Sequence, residues 1–151
     1  MTCQVAEYTL SDALLSAGWK EYGFFVVRGD LRVLKADVYL VPSDAYGVVE
    51  PVWDWLIGDL RIEISQRQGE LATEDFLFLS GRGEQTAVLV VNVGGTTAMN
   101  DPAELSARLR RALQGFQDRL DSDPSQIPTH RGDRVLLALP VIGVGRGGLG
   151  G

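Results

Sequence analysis

Residues 87–94 read AVLVVNVG, an apolar run that is closed by glycines at positions 94 and 95. A strand that is apolar on both faces is typical of the centre of a sheet that is covered on each side. Other short apolar runs, each followed by a polar, proline-rich or glycine-rich turn, lie at 24–27, 38–41, 76–79 and 135–139. These runs alternate with longer amphipathic segments, and that alternation predicts a layered α/β domain.

Two amphipathic segments are predicted to form long helices. The first, 51–66, begins with a proline, and its apolar residues recur at spacings of three and four: Trp53, Leu56, Leu60 and Ile64. The second begins with Asp101 as N-cap and Pro102 in the first turn. One face of this second helix carries Leu105, Leu109, Leu113 and Phe116. A shorter helix is predicted over 11–19.

The composition indicates one acidic globular domain. The chain has 151 residues, and 14 Lys and Arg against 20 Asp and Glu give a net charge of −6. A molecule with this charge has no overall field that attracts nucleic acid or an anionic membrane, so neither is predicted as a partner. Its apolar runs are shorter than the roughly 18 residues of a membrane span, and its N-terminus shows no secretion signal. These features predict a cytoplasmic protein.

Cysteine and histidine are too few to predict a metal centre. Cys3 and His130 occur once each, so no internal disulfide can form, and the two residues cannot build a zinc site alone. His130 lies in a polar stretch and is predicted to be solvated. No metal or cofactor is therefore predicted.

Three polar or glycine-rich breaks follow the ends of apolar runs, at 29–30, 43–47 and 143–148. Ligands of open α/β sheets bind beyond the carboxyl ends of the strands. Glycines at such ends let successive backbone N–H groups converge on an anion, even in a protein that is negative overall. The alternative interpretation of each break is an ordinary tight turn.

Four blocks of the chain, in order, share their spacing with a known family. They are GDL at 29–31 followed by ADVYLVPSD at 36–44, FLSG at 78–81 running into AVLVVNVG, the helix over 105–120, and LPVIGVGRGG at 139–148. Together they resemble a macro domain, the fold that binds ADP-ribose and related nucleotides. The resemblance implies a three-layer sandwich, with a mixed central sheet and helices on both faces.

The resemblance also implies a role for the matching residues of the first break and loop. Asp30 would accept a hydrogen bond from the adenine amino group, and Leu31 would offer its backbone N–H to the ring. Ser43 and Asp44 would meet the distal ribose. The residues that would then border the phosphates are Ala45, Tyr46, Gly47 and Val48. The alternative for Asp30 is a solvated turn residue after a strand, and the alternative for Asp44 is a turn residue that caps nearby N–H groups.

The resemblance assigns the diphosphate to a second, glycine-rich loop. Its main-chain N–H groups would wrap the phosphates, and Arg146 would either add a charge-assisted contact or remain solvent-exposed. The residues of this loop are Gly143, Val144, Gly145, Arg146, Gly147 and Gly148. The sequence does not distinguish among ADP-ribose, NAD and related NAD-derived nucleotides.

Departures from the family pattern favour binding over catalysis. Asp44 stands where the family has an asparagine, and the run of glycines that follows in the family is reduced to Gly47. The acidic residues of hydrolytic members have no clear counterpart, since Glu50 and Asp54 are explained by a helix N-terminus. The prediction is a sensing or regulatory module. The alternatives are an ADP-ribosyl hydrolase, which would act through Asp44 or Glu50, and a ligand-free scaffold that assembles through Trp53 or Trp55.

The position of the second loop at the end of the chain predicts a piece of a longer protein. A macro fold usually continues beyond this loop, whereas the chain ends at Gly151. The alternative is a shortened single domain over 1–151. Modules with a similar first loop resemble the N-terminal part of bacterial proteins that carry a sirtuin-like, NAD-consuming domain. That likeness implies a fused or associated effector domain and a role in defence, and homo-oligomerisation also remains open.

Overall fold

The described part of the chain folds as an α/β structure around a four-stranded mixed sheet. The computed structural model describes residues 30–80, 86–94, 101–123 and 135–140. The strands are β1 (Val38–Ser43), β2 (Phe76–Leu79), β3 (Ala87–Asn92) and β4 (Leu137–Ala138). The helices are α1 (Asp54–Ile57), α2 (Arg61–Gln66), α3 (Gln68–Glu74) and α4 (Pro102–Ser122), with short 3₁₀ turns at Leu31–Val33, Pro51–Trp53 and Gly58–Leu60. The predicted helix 11–19 and strand 24–27 lie outside the described residues.

The apolar run at 87–94 forms an interior strand, as predicted. The strand order is β2-β3-β1-β4, and every residue of β3 is buried. β1 runs parallel to both β3 and β4, whereas β2 runs antiparallel to β3. The register pairs Val38 with Ala87 and Ser43 with Asn92. The carboxyl ends of β1, β3 and β4 therefore lie at one edge of the sheet, which we call the carboxyl edge.

Side chains of the strands alternate between two hydrophobic clusters. One cluster joins Leu40 and Leu89 to α4, through Leu105, Leu109, Ala112, Leu113 and Phe116. The other joins Val41 and Val90 to the segment between β1 and β2, through Val49, Trp53, Ile57, Ile64 and Leu71. Since β1, β2 and β3 each contribute to both clusters, these three strands are apolar on both faces, whereas β4 contributes only to the cluster with α4.

The helix predicted from Asp101 is confirmed with its cap. The Asp101 side chain accepts hydrogen bonds from the N–H groups of Ala103 and Glu104, at 3.0 and 3.4 Å. Pro102 occupies the first turn, where its missing N–H removes no helical hydrogen bond. The helix ends at Ser122, so it extends into the polar stretch that follows.

The segment predicted as one helix over 51–66 is broken into short pieces that continue to Glu74. Ile57 and Arg67 interrupt the helical dihedrals, with φ/ψ of −111°/5° and −104°/18°. These breaks reset the helical phase, so that Ile57, Ile64 and Leu71 all reach the sheet at seven-residue intervals. A continuous helix would rotate such a seven-residue repeat by about 20° per heptad. The spacing of the apolar residues in the sequence did not predict this interruption.

The last strand is shorter than its predicted span of 135–139. Only Leu137 and Ala138 form strand, opposite Val38 and Tyr39. Leu136 is about half exposed, but its N–H donates to the Asp37 side chain at 2.8 Å, and its carbonyl accepts from the Asp37 N–H at 2.9 Å. A hydrogen bond to the Asp37 side chain thus takes the place of a backbone hydrogen bond between strands just before β4.

A network of charged side chains joins α2, α3 and α4. Arg67 bonds to Glu70 at 3.0 Å and to Glu63 at 3.3 Å, while Arg119 of α4 reaches Glu70 at 3.3 Å. The hydrogen bond from Arg67 holds the pKa of Glu70 below its ordinary value, with the charges of Arg67 and Arg119 adding to the effect.

This network predicts a pH dependence of stability. Because the pKa of Glu70 is lowered on folding, its contribution is present above the unfolded pKa, about pH 4, and is lost as the pH falls through the folded value. Glu70→Gln should lower stability at pH 7 by less than about 1 kcal/mol and flatten the loss of stability below pH 4. Urea unfolding between pH 7 and 3 measures this. If Glu70→Gln loses stability below pH 4 as steeply as the natural sequence, the assignment of this pH dependence to Glu70 is contradicted.

Candidate functional site

The carboxyl edge contains a topological switch point between β1 and β3. These two strands are parallel neighbours, and the Val93 N–H donates to the Ser43 carbonyl at 2.9 Å. The chain that follows β1 packs into the cluster with Ile57 and Ile64, whereas α4, which follows β3, packs into the opposite cluster. Adjacent strands whose connections leave to opposite faces form a crevice where ligands of α/β sheets bind.

The loop after β1, residues 43–48, is closed on the Asp44 side chain. Asp44 Oδ1 accepts the N–H groups of Tyr46 and Val48, at 2.8 and 2.9 Å. Two backbone bonds complete the loop, from Asp44 N–H to the Val48 carbonyl and from Gly47 N–H to the Asp44 carbonyl, each at 3.2 Å. The capping role that the sequence left open for Asp44 is therefore present in the structure.

Gly47 fixes the path of this loop, and the side chains of the two residues beside it are exposed. Its φ of +77° suits glycine, and a Cβ there would lie 3.2 Å from Cγ2 of Ile64. Tyr46 and Val48 are 74% and 64% exposed. The loop is thus held against α2 on one side, while the Tyr46 ring faces solvent.

Ser43 and Asn92 are buried polar residues side by side at the switch point. They are register partners and are only 4% and 2% exposed. The Ser43 hydroxyl donates to the Asp44 carbonyl at 3.0 Å, with a longer contact to the Val91 carbonyl at 3.4 Å. Asn92 accepts the Gly94 N–H on its side-chain oxygen at 2.8 Å. These bonds fix the directions in which the chain leaves both strands.

The Asp30–Leu31 pair lies in the 3₁₀ turn that precedes β1. The Asp30 carboxylate caps this turn by accepting the Arg32 N–H at 2.9 Å, and both of its oxygens also bond to the Arg32 side chain. Those bonds lower the pKa of Asp30. The turn is attached to Tyr39, whose hydroxyl donates to the Leu34 carbonyl. An adenine amino group would have to compete with Arg32 for this carboxylate.

Asp75 is a buried charged residue at the carboxyl edge that sequence reasoning missed. It precedes β2 in the left-handed conformation, with φ of +65°, and its side chain is 11% exposed. Its carboxylate pairs with Arg108 at 2.9 Å and also with Arg111, both from α4. Its carbonyl accepts the Asn92 N–H at 2.8 Å. The polar Asn92 within an apolar run was the one signal that could have pointed to this cluster.

A groove of about 810 Å³ lies between the end of α3 and α4, away from the predicted site. Phe76 and Gly115 contribute to its lining, and three arginines, Arg110, Arg111 and Arg119, lie along it with acidic neighbours. None of the predicted binding residues lines this groove. Its basic side chains are partly neutralised, since Arg111 pairs with Asp75 and Arg119 with Glu70.

Some of the remaining predicted residues lie within the described ranges, and others lie outside them. The second loop, 143–148, lies outside the described residues, as do Cys3 and His130. Since β4 is parallel to β1, the chain leaves β4 toward the carboxyl edge, on the side of β1 opposite β3. Asp54 pairs with Arg61 at 2.5 Å. Trp53 is buried, while Trp55 is 40% exposed and packs edge-on against Tyr39.

Over the four described ranges, no group of three His, Cys, Asp or Glu side chains could hold a metal ion. Within the same ranges, the structure contains no helix with the length and apolar character that a membrane crossing requires. Comparison with models of protein families, with curated proteins and with solved structures finds no match to this chain.

Proposed function

We propose that the protein is a macro-like module that binds ADP-ribose or a related NAD-derived nucleotide at the carboxyl edge. The switch point between β1 and β3, beside the first predicted loop, is the observation that carries this proposal, because ligands of α/β sheets bind at such points. A three-layer sandwich is the arrangement that the two clusters on opposite faces of the sheet support. A sensing role, beside an NAD-consuming effector domain in the cytoplasm, is the biological setting that we infer.

The geometry favours binding over hydrolysis. A general acid or base needs a carboxylate within reach of the scissile bond. Asp44 holds the N–H groups of its own loop through Oδ1, and Asp54 is paired with Arg61. Glu50, the other residue through which a hydrolase would act, is exposed to solvent at the N-cap of the 3₁₀ turn Pro51–Trp53. The module is therefore proposed to hold the nucleotide, with ADP-ribosyl hydrolysis as the less supported alternative.

Calorimetric titration with ADP-ribose, NAD and ADP tests the proposal. We expect submillimolar binding of ADP-ribose, with a rise in melting temperature that grows with ligand concentration. At about 1 mM ligand, a complex with a free energy of only about −4 kcal/mol would be half formed. If ADP-ribose at that concentration produces no heat and no thermal shift, the result would count decisively against nucleotide binding.

A matched pair of surface variants locates the binding site. Tyr46→Ala should weaken ADP-ribose binding several-fold, because this exposed ring lies beside the switch point, on a loop that is held by backbone bonds. Ile62→Ala is the control, since Ile62 is equally exposed at 72% but lies two residues from Ile64, on a different side of α2. Equal affinities for both variants would place the nucleotide elsewhere.

A further inference from the structure

We propose that the Asp44 carboxylate fills the amide cradle of the loop 43–48, so that this loop rejects phosphate and accepts a hydroxyl-bearing part of the ligand. The inference deepens the proposed function and rests on it only for the choice of nucleotide. On this proposal, Asp44 determines which part of the ligand the loop accepts. The diphosphate then lies away from the first loop, whereas the family resemblance would place it against the backbone of that loop.

The hydrogen bonds of the loop show which donors are already used. The N–H groups of Tyr46 and Val48 converge on one atom, Asp44 Oδ1, at 2.8 and 2.9 Å. The Gly47 N–H is directed to the Asp44 carbonyl, and the Asp44 N–H to the Val48 carbonyl. Convergent backbone N–H groups at a strand end are the donors that hold phosphate oxygens in anion-binding nests. Here a carboxylate of the same chain takes that position.

A phosphate would have to displace this carboxylate and then remain beside it. The side chain is covalently attached, so it competes for the amides at a high effective concentration. A displaced Asp44 would still repel a second anion a few ångströms away. Both effects oppose phosphate at this loop, and both depend on one side chain.

The open side of Asp44 suits a donor group. Within the described part of the chain, the hydrogen bonds of this carboxylate are all made by Oδ1, which leaves Oδ2 available. A carboxylate only accepts hydrogen bonds, so its partner on a ligand must be a hydroxyl or an amine. The structure therefore points to a sugar hydroxyl group as the part of the ligand at this loop.

The loop has a backbone frame that does not depend on the carboxylate. Both 3.2 Å backbone bonds remain when the Asp44 side chain is shortened, and Gly47 keeps the positive φ that the turn requires. Asp44→Ala should therefore open the N–H groups of Tyr46 and Val48 without removing the turn. Asp44→Asn is the matched variant, because its amide oxygen can still occupy those N–H groups while the charge is lost.

The experiment measures inorganic pyrophosphate binding to the full chain by calorimetry, for the natural sequence and for both variants. We expect Asp44→Ala to bind pyrophosphate about tenfold more tightly than the natural sequence, since two N–H donors become free. Asp44→Asn should differ from the natural sequence by less than about threefold. In Asp44→Ala, pyrophosphate should shift the amide NMR signals of Tyr46 and Val48.

Each contrary result has a defined meaning. Unchanged or weaker pyrophosphate binding by Asp44→Ala, with its loop amide signals intact, would overturn the inference. A gain in Asp44→Asn as large as the gain in Asp44→Ala would also overturn it, because repulsion by the charge alone, and not the occupied amides, would then exclude phosphate. If Asp44→Ala does not fold, the Asp44→Asn titration and its amide signals decide alone.

The pyrophosphate test is separable from the proposed function. If the natural chain fails to bind ADP-ribose while Asp44→Ala gains pyrophosphate affinity, the proposed function fails and the closed cradle stands. If the natural chain binds ADP-ribose and neither variant changes as expected for pyrophosphate, the binding module stands and the role of Asp44 fails.

Discussion

Replacing Asp75 by alanine is expected to lower the free energy of unfolding by about 3–5 kcal/mol, the loss typical of breaking a buried ion pair. The Asp75 and Arg108 side chains are 11% and 18% exposed and lie 2.9 Å apart. Removing the carboxylate leaves the Arg108 guanidinium in a poorly solvated position, where Glu104 is its remaining partner at 2.9 Å. The cost arises from the loss of both Asp75 ion pairs and from a largely buried guanidinium that retains a single, more exposed partner.

The backbone adds to the effect of this substitution. Asp75 has φ of +65°, a left-handed conformation that costs alanine roughly 1–2 kcal/mol and that aspartate and asparagine tolerate better. Asp75→Asn keeps a side-chain acceptor and this tolerance, so it should lose clearly less stability than Asp75→Ala. The comparison separates the backbone and hydrogen-bonding contributions from the charge.

Urea unfolding of the full chain measures both variants, with Asp118→Ala as a control on the same helix. Asp118 is exposed on α4 and accepts one hydrogen bond from Gln114 at 3.0 Å, so its loss should cost less than about 0.5 kcal/mol. An Asp75→Ala variant that loses no more than the Asp118 control would show that the cluster contributes little.

Asp75 also connects stability to the candidate site. Its carbonyl accepts the N–H of Asn92, which is the register partner of Ser43 at the switch point. Milder variants such as Asp75→Asn should therefore be examined for nucleotide affinity as well as stability. A change in affinity without loss of the fold would place this cluster among the groups that position the crevice.

The strands and the long helix could be predicted because their signals are local. The run at 87–93 is apolar on both faces, and Asp101 with Pro102 marks a helix start, so each element follows from its own residues. The limits of the segment 51–74 could not be predicted in this way. No proline marks its breaks at Ile57 and Arg67, and the apolar residues around them, Ile57, Ile64 and Leu71, join one cluster against the sheet.

Only part of the candidate site could be predicted from the sequence, because the sequence does not show which of its groups form hydrogen bonds or ion pairs with one another. Ser43 and Asp44 were identified from their place after a strand, and the structure puts them at the carboxyl edge. The sequence could not show that Asp44 takes the N–H groups of Tyr46 and Val48. Asp75 was missed because its partners Arg108 and Arg111 are more than 30 residues away.

Gly115→Ala is expected to destabilise the protein by about 2 kcal/mol, although alanine is the better helix former. Gly115 lies within α4, and a Cβ at this position would lie 2.2 Å from two carbons of the Phe76 ring. Overpacking a filled core costs about 1–3 kcal/mol and sometimes more, whereas replacing a helical glycine by alanine gains about 1 kcal/mol. The clash exceeds the gain because Phe76 is 7% exposed and packed within the cluster around α4.

A double-mutant cycle tests whether the Phe76 ring is the cause. In a Phe76→Leu background, Gly115→Ala should cost little or become stabilising, because the shorter side chain removes the two ring carbons. Gly69→Ala is the matched control: Gly69 lies in α3 with nothing within 4 Å of its added Cβ, so it should stabilise by up to about 1 kcal/mol. Equal losses from Gly115→Ala in both backgrounds would mean that the close approach of Phe76 is not what requires glycine in α4.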